Sequence, residues 1–181
     1  MDAAANVVIL GAPKIGKTKM LDLLTGSQSI DIGPTLGIEM RTWAFKNKNG
    51  RVRRLRLWDT SGKNIYARLL RQDVHYSDIA LLCVDTSNAK DLSLMHGNIQ
   101  LIEQSPVRKV VIIYQIFQDG VERKIMPADV LSAAEHVRNR RNVKKIFVCE
   151  GRIEDTAMLR EAFVLAAEAV AGTGTAVGRC T

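Results

Sequence analysis

The segment Gly11-Ala12-Pro13-Lys14-Ile15-Gly16-Lys17-Thr18 constrains the fold of this 181-residue chain more than any other stretch. It follows the apolar run Val7-Val8-Ile9-Leu10, which reads as a buried strand, and it opens a helical stretch from about Lys17 to Thr25. A G-x-x-x-x-G-K-[ST] run between a strand and a helix is a phosphate cradle. The tight turn aims successive backbone N–H groups at an anion, and the helix N-terminus adds its partial positive charge. Lys17 supplies a point charge, and Thr18 offers a hydroxyl to Mg²⁺.

The remaining pattern completes an α/β chain. Ile79 to Val84 and Val110 to Ile113 are short branched runs, expected for central strands covered on both faces. Ile146-Phe147-Val148 reads as a last strand. Residues 38–46 and 52–58 read as two strands around the hairpin signal Asn49-Gly50, with Leu55 and Leu57 alternating against Arg54 and Arg56. Helices are expected from about Ala89 to Gln104, after Pro127, and from Thr156 to Ala171. Gly33-Pro34 keeps residues 27–36 a loop. The expectation is a three-layer domain over residues 1–171, its sheet mostly parallel with one antiparallel edge strand, and a flexible Gly-rich tail over 172–181. In such sheets ligands bind at the carboxyl ends of the strands.

Charge and cysteine usage narrow the partners. The 26 Lys+Arg against 19 Asp+Glu leave a net +7, but the basic residues gather around two turns (46–56 and 138–145) with no interleaved aromatics for base stacking. They read as solvated faces, and no nucleic acid is expected. Cys83, Cys149 and Cys180 fit neither a disulfide framework nor a zinc site, so a reducing, cytoplasmic setting is expected. Cys180-Thr181 is no C-a-a-X box and residue 2 is Asp, so no direct lipid anchor is expected. No run reaches the ~18 apolar residues of a membrane span.

Two further segments sharpen the phosphate reading. Trp58-Asp59-Thr60-Ser61-Gly62 ends the third strand, carrying Asp59 to the edge where the phosphate loop lies. A carboxylate there can hold Mg²⁺ directly or through water, and the Gly62 N–H can meet a terminal phosphate. Pro34-Thr35-Leu36-Gly37 places a hydroxyl on the loop before the second strand. With these motifs and the acidic strand end Leu82-Cys83-Val84-Asp85, the sequence resembles the Ras superfamily of small GTPases, most closely its Rab-like branch, over about residues 5–171. The resemblance implies a P-loop NTPase fold of six strands and five helices that binds GTP or GDP with Mg²⁺. It implies that Lys17 contacts the β- and γ-phosphates. Thr18 and Thr35 would ligate Mg²⁺, Asp59 would hold it through water, and Gly62 would sense the γ-phosphate.

The departures from that family matter as much. Where the family carries N-K-x-D, this chain has Gln115, Ile116, Phe117 and Gln118. A neutral Gln118 forfeits a charge-assisted pair with guanine worth about 1.5–3 kcal/mol. Glutamine also pairs with adenine, which weakens discrimination. Asp119, one residue on, is the alternative carboxylate. The family's S-A-K reads Glu150-Gly151-Arg152, where the Gly151 N–H can meet the guanine O6 and the Arg152 stem can stack on the base. The water-positioning glutamine is replaced by Lys63, which has donors and no acceptor, and Pro13 lacks an N–H and crowds the γ-phosphate. Weak or absent hydrolysis is therefore expected. With no anchor and altered base motifs, the expected role is a nucleotide switch or subunit of a larger protein assembly, contacting partners through the switch regions. This combination is similar to the Rab-like subunits of the intraflagellar transport particle, which would place it at a cilium or flagellum. The alternative is a nucleotide-independent scaffold. A small P-loop kinase is disfavoured because the arginine cluster lies before Asp59, not in a lid.

Overall fold

The computed structural model describes residues 4–26, 38–47, 49–61, 67–106, 108–138 and 140–172. The chain runs β1 (Ala5–Leu10), α1 (Lys17–Thr25), β2 (Ile38–Lys46), β3 (Val52–Thr60), α2 (Ala67–Tyr76) and β4 (Ile79–Asp85). It continues through α3 (Lys90–Glu103), β5 (Lys109–Ile116), α4 (Pro127–Arg138), β6 (Val143–Gly151) and α5 (Thr156–Val170). The six strands form one sheet in the order β2-β3-β1-β4-β5-β6. Only the edge strand β2 is antiparallel to its neighbour, as expected from the hairpin signal. The other strands run parallel, so their carboxyl ends share one edge.

Side-chain alternation splits the interior into two layers, one on each face of the sheet. Val7, Ile9, Leu57, Leu81, Ile112 and Phe147 pack with Leu21 of α1 and Phe163 of α5. Val8, Leu10, Leu82, Val111 and Ile113 pack with Val74 of α2, Ile99 of α3 and Val130 of α4. Strands covered on both faces are apolar along most of their length, which is why Ile79–Val84 of β4 and Val110–Ile113 of β5 read as apolar runs.

Two features differ from the pattern, and the hairpin between them does not. β3 extends to Thr60, whose hydroxyl donates to the Ile9 carbonyl at 2.5 Å and fastens the strand end beside β1. The β2–β3 connection spans residues 47–51, the gap that the two strand readings leave. Asn47 closes it: its N–H donates to the Arg51 carbonyl at 2.9 Å, and its Oδ1 accepts from the N–H groups of Asn49 and Arg51. Finally, apolar spacing does not delimit α2, in which Val74 is buried and Leu70 partly so.

The link from α2 to β4 is held by an unusual group. Lys109, the first residue of β5, is fully buried, and its Nζ donates to the carbonyls of Ser77 at 2.6 Å and His75 at 3.4 Å. Burial pushes its pKa down from 10.5 to about 8, with Asp78 acting in the opposite sense. The ammonium thus replaces, at the carboxyl end of α2, the donors that a helix end lacks.

Candidate functional site

The phosphate loop lies at the carboxyl edge of the sheet, between β1 and α1. Its shape depends on two glycines. At Gly11, φ is +150° and an added Cβ would fall 2.8 Å from the Cys83 carbonyl oxygen, so only glycine lets the loop leave β1 against β4. At Gly16, φ is +97° and an added Cβ would come within 2.5 Å of the Ile153 Cδ1. Ile15 tucks into the layer formed with α1 and α5, while Pro13 and Lys14 are exposed at the loop apex. Lys14 holds φ at +63°, a left-handed conformation costly for a residue with a Cβ.

Lys17 begins α1 with its side chain folded back over the loop. Its Nζ donates to the carbonyls of Ala12 at 2.8 Å and Gly11 at 3.0 Å. Burial lowers its pKa, while the nearby Cys83, Asp59 and Asp91 act to raise it. An ammonium held in this way, above loop N–H groups and a helix N-terminus, is an anion site.

The metal end is assembled from two elements. Asp59, opposite Ile9 in the β1–β3 register, is fully buried, and its Oδ2 accepts a hydrogen bond from the Thr18 hydroxyl at 2.6 Å. That hydroxyl spends its proton on Asp59 and so meets any further partner as an acceptor. The Asp59 Oδ1 has no hydrogen-bond partner among the described residues. Burial raises the pKa of this carboxyl, with the Thr18 hydrogen bond, Lys17 and Arg41 opposing. A buried carboxylate with one oxygen unanswered, beside a hydroxyl oriented as an acceptor, suits a hard divalent cation, so these residues fit Mg²⁺. Thr35, Gly62 and Lys63 lie outside the described residues.

At the far end of the loop is a pocket of about 350 Å³ lined by Lys19, Phe117, Gln118, Asp119, Arg152, Ile153 and Glu154. Parallel pairing of β5 with β6 sets Gln115 opposite Glu150 and Ile116 opposite Gly151, which brings the two altered base motifs side by side. Gln118 and Asp119 are exposed, and Asp119 Oδ2 is 2.9 Å from Arg152 Nη1. Gln115 is buried in β5, away from that pocket's lining, and its Oε1 has no partner among the described residues. Gly151 is buried, and a Cβ there would collide with the Tyr114 hydroxyl, which donates to the Arg152 carbonyl at 3.3 Å. Glu150 is committed elsewhere: it pairs with Arg123, whose guanidinium also lies 4.8 Å from the Phe117 ring centre.

Several groups here carry no sequence signal. Lys19 and Glu154 form a 2.6 Å ion pair on the pocket wall although 135 residues separate them. Arg41 of β2 reaches Asp59 at 3.6 Å. Each pairing exists only because the fold apposes distant elements.

A phosphate loop, a threonine–aspartate pair whose chemistry fits a divalent cation and a neighbouring pocket, set on such a sheet, define a P-loop nucleotide-binding domain of the small-GTPase class. Residues 6–117, more than half the chain, match the family described as "Ras of Complex, Roc, domain of DAPkinase". The chain belongs to this Ras-superfamily group of GTPase domains and is a divergent, Rab-like member. It is 28% identical over 110 residues to the Ras-related protein Rab-7B of Dictyostelium discoideum, covering 59% of this chain and 52% of that one. It is 24% identical over 106 residues to Ras-related protein RabQ of the same organism, covering 58% of this chain and 52% of that protein. Against GTP-binding protein RHO4 of Saccharomyces cerevisiae it is 24% identical over 161 residues, 88% of this chain and 54% of that one. The chain thus spans about half the length of these curated relatives.

Proposed function

We propose that this domain binds a Mg²⁺–guanine nucleotide, hydrolyses it slowly or not at all, and serves as a nucleotide-responsive subunit of a protein assembly. The observation that carries the reading is the arrangement of Lys17, Thr18 and Asp59: an ammonium held over the loop carbonyls, and a hydroxyl whose proton is already spent on a buried carboxylate. Gly11 to Thr18 bind the phosphates, and Thr18 and Asp59 hold the metal, which supplies positive charge between the phosphate oxygens. By the family resemblance, Thr35 would join Thr18 as a metal ligand and Gly62 would sense the γ-phosphate. Slow turnover follows from Lys63, which has no acceptor with which to orient water. Among base contacts, Gln118 or Asp119 accepts from the guanine N1–H and N2–H₂, and the Gly151 N–H meets O6. Protein partners engage the switch regions, in the cytoplasm. The intraflagellar transport particle is the assembly whose Rab-like subunits this sequence is similar to.

The test is to purify the chain, denature it, identify the released nucleotide, and then titrate GTP, GDP and ATP with Mg²⁺. Guanine nucleotides binding well ahead of ATP support the reading. Equal purine binding would remove guanine recognition and leave a general nucleotide holder. No binding at millimolar nucleotide would overturn it in favour of a scaffold that works without nucleotide. Co-purification of intraflagellar transport subunits with the tagged chain from ciliated cells tests the assembly, and their absence sinks that placement.

A further inference from the structure

Along β2 the burial alternates, with Arg41 and Trp43 buried while Met40, Thr42 and Ala44 stand exposed. A guanidinium therefore occupies an inward position where the pattern calls for an apolar side chain, and only 8% of it is exposed. Its neighbours come from three elements. Nη2 lies 3.0 Å from Asp22 Oδ1 of α1 and 3.2 Å from Glu39 Oε2, and Nη1 lies 3.6 Å from Asp59 Oδ2 of β3. The β2–β3 register pairs Glu39 with Asp59 and Arg41 with Leu57, so Arg41 and Asp59 are diagonal neighbours on one face of the sheet.

We propose that Arg41 is a resident cation of the metal site, one that shares the Asp59 charge with Mg²⁺ and so sets how much Mg²⁺ the protein needs to retain nucleotide. The inference rests on the metal–nucleotide reading above. Three carboxylates converge on one guanidinium, and the most buried of them is the one that also accepts from Thr18. When the metal is absent, Arg41 joins Lys17 and the Thr18 hydroxyl in offsetting the buried charge of Asp59. When Mg²⁺ binds, it gains less from a carboxylate already paired than from a bare one. Coupling of this kind is reciprocal: whatever factor Arg41 imposes on Mg²⁺, Mg²⁺ imposes on the Arg41–Asp59 pair. Arg41 is thus a positioning residue that acts through Asp59, and it touches neither nucleotide nor metal.

The experiment measures dissociation of a fluorescent GDP from the full chain as free Mg²⁺ is varied from micromolar to millimolar. Arg41→Gln is expected to lower the Mg²⁺ concentration of half-maximal retention about tenfold, with Arg41→Lys in between and Arg54→Gln, an exposed charge on the opposite face of the hairpin, unchanged. If Arg41→Gln weakens retention equally at every Mg²⁺ concentration, its role is structural and the inference is overturned. A second measurement needs no nucleotide. In EDTA, the urea unfolding of Arg41→Gln, Asp59→Asn and the double variant is expected to show coupling of at least about fivefold in the unfolding constant. Additive effects would overturn the inference. If the wild-type chain binds no nucleotide, the functional reading fails by itself, and the unfolding cycle alone decides the Arg41–Asp59 pair.

Discussion

Lys109 makes the stability of this domain depend on pH in a predictable direction. Its ammonium is fully buried and its pKa is pushed down to about 8, against 10.5 in the unfolded chain. Below pH 8 the lysine is charged in both states, and the folded protein carries the whole cost of burying that charge. Between pH 8 and 10.5 the folded lysine sheds its proton while the unfolded one keeps it, so the unfolded state binds more protons and stability rises with pH. A depression of about 2.5 units at about 1.4 kcal/mol each corresponds to about 3.4 kcal/mol in full, of which about 2.5 kcal/mol is recovered between pH 7 and pH 10. Other lysines, tyrosines and thiols titrate over the same range. The quantity to follow is therefore the difference between the wild-type protein and Lys109→Met, which keeps the length of the stem and removes the charge. Urea unfolding of both proteins at pH 7, 8, 9 and 10 should show the wild type gaining on the variant by about 2.5 kcal/mol across the series. A difference that stays constant within about 0.5 kcal/mol would mean that the buried ammonium carries no such penalty, and the reasoning would be refuted.

Other substitutions probe the site and the core. Gly151→Ala should cost about 1–3 kcal/mol by driving a methyl group into the Tyr114 hydroxyl, and adding Tyr114→Phe should recover most of that loss in chemical denaturation. Lys14→Gly relieves a left-handed residue at the loop apex and should raise stability by about 0.5–1 kcal/mol; an unchanged urea midpoint would show that the loop stores no such strain. Phe163→Ala opens a cavity in the layer beneath α1 and α5 and should cost about 3–5 kcal/mol. A loss under 1 kcal/mol there would mean that α5 contributes little to the folded state.

What could be read in advance follows from how locally each feature is encoded. β1, β4 and β5 are announced by unbroken apolar runs because both faces of each are covered. The phosphate loop is legible because its glycines, Lys17 and Thr18 are contiguous. α2 is not delimited by its spacing: ARLLRQDVHY sets charged residues close around Leu70 and Val74, the two that pack in the layer with α3 and α4. Arg41 is invisible for a different reason. A charged residue in an amphipathic strand reads as outward-facing, and only the approach of Asp22 and Asp59 from other elements turns an inward guanidinium into a stable one. The Asp119–Arg152 pair likewise depends on β5 and β6 lying side by side, 33 residues apart in sequence.

The sheet also acts as a partition. α1 and α5 share one apolar layer, α2, α3 and α4 share the other, and among the described residues no buried side chain belongs to both. A disturbance that loosens α2 is therefore absorbed by α3 and α4, while the helix that begins at the phosphate loop keeps its own backing of α5 and the opposite sheet face. Amide hydrogen exchange should reveal two cooperative units of unequal resistance, with α2 in the softer one and α1 in the harder one. The α2 flank can thus rearrange without loosening the helix that begins at the phosphate loop.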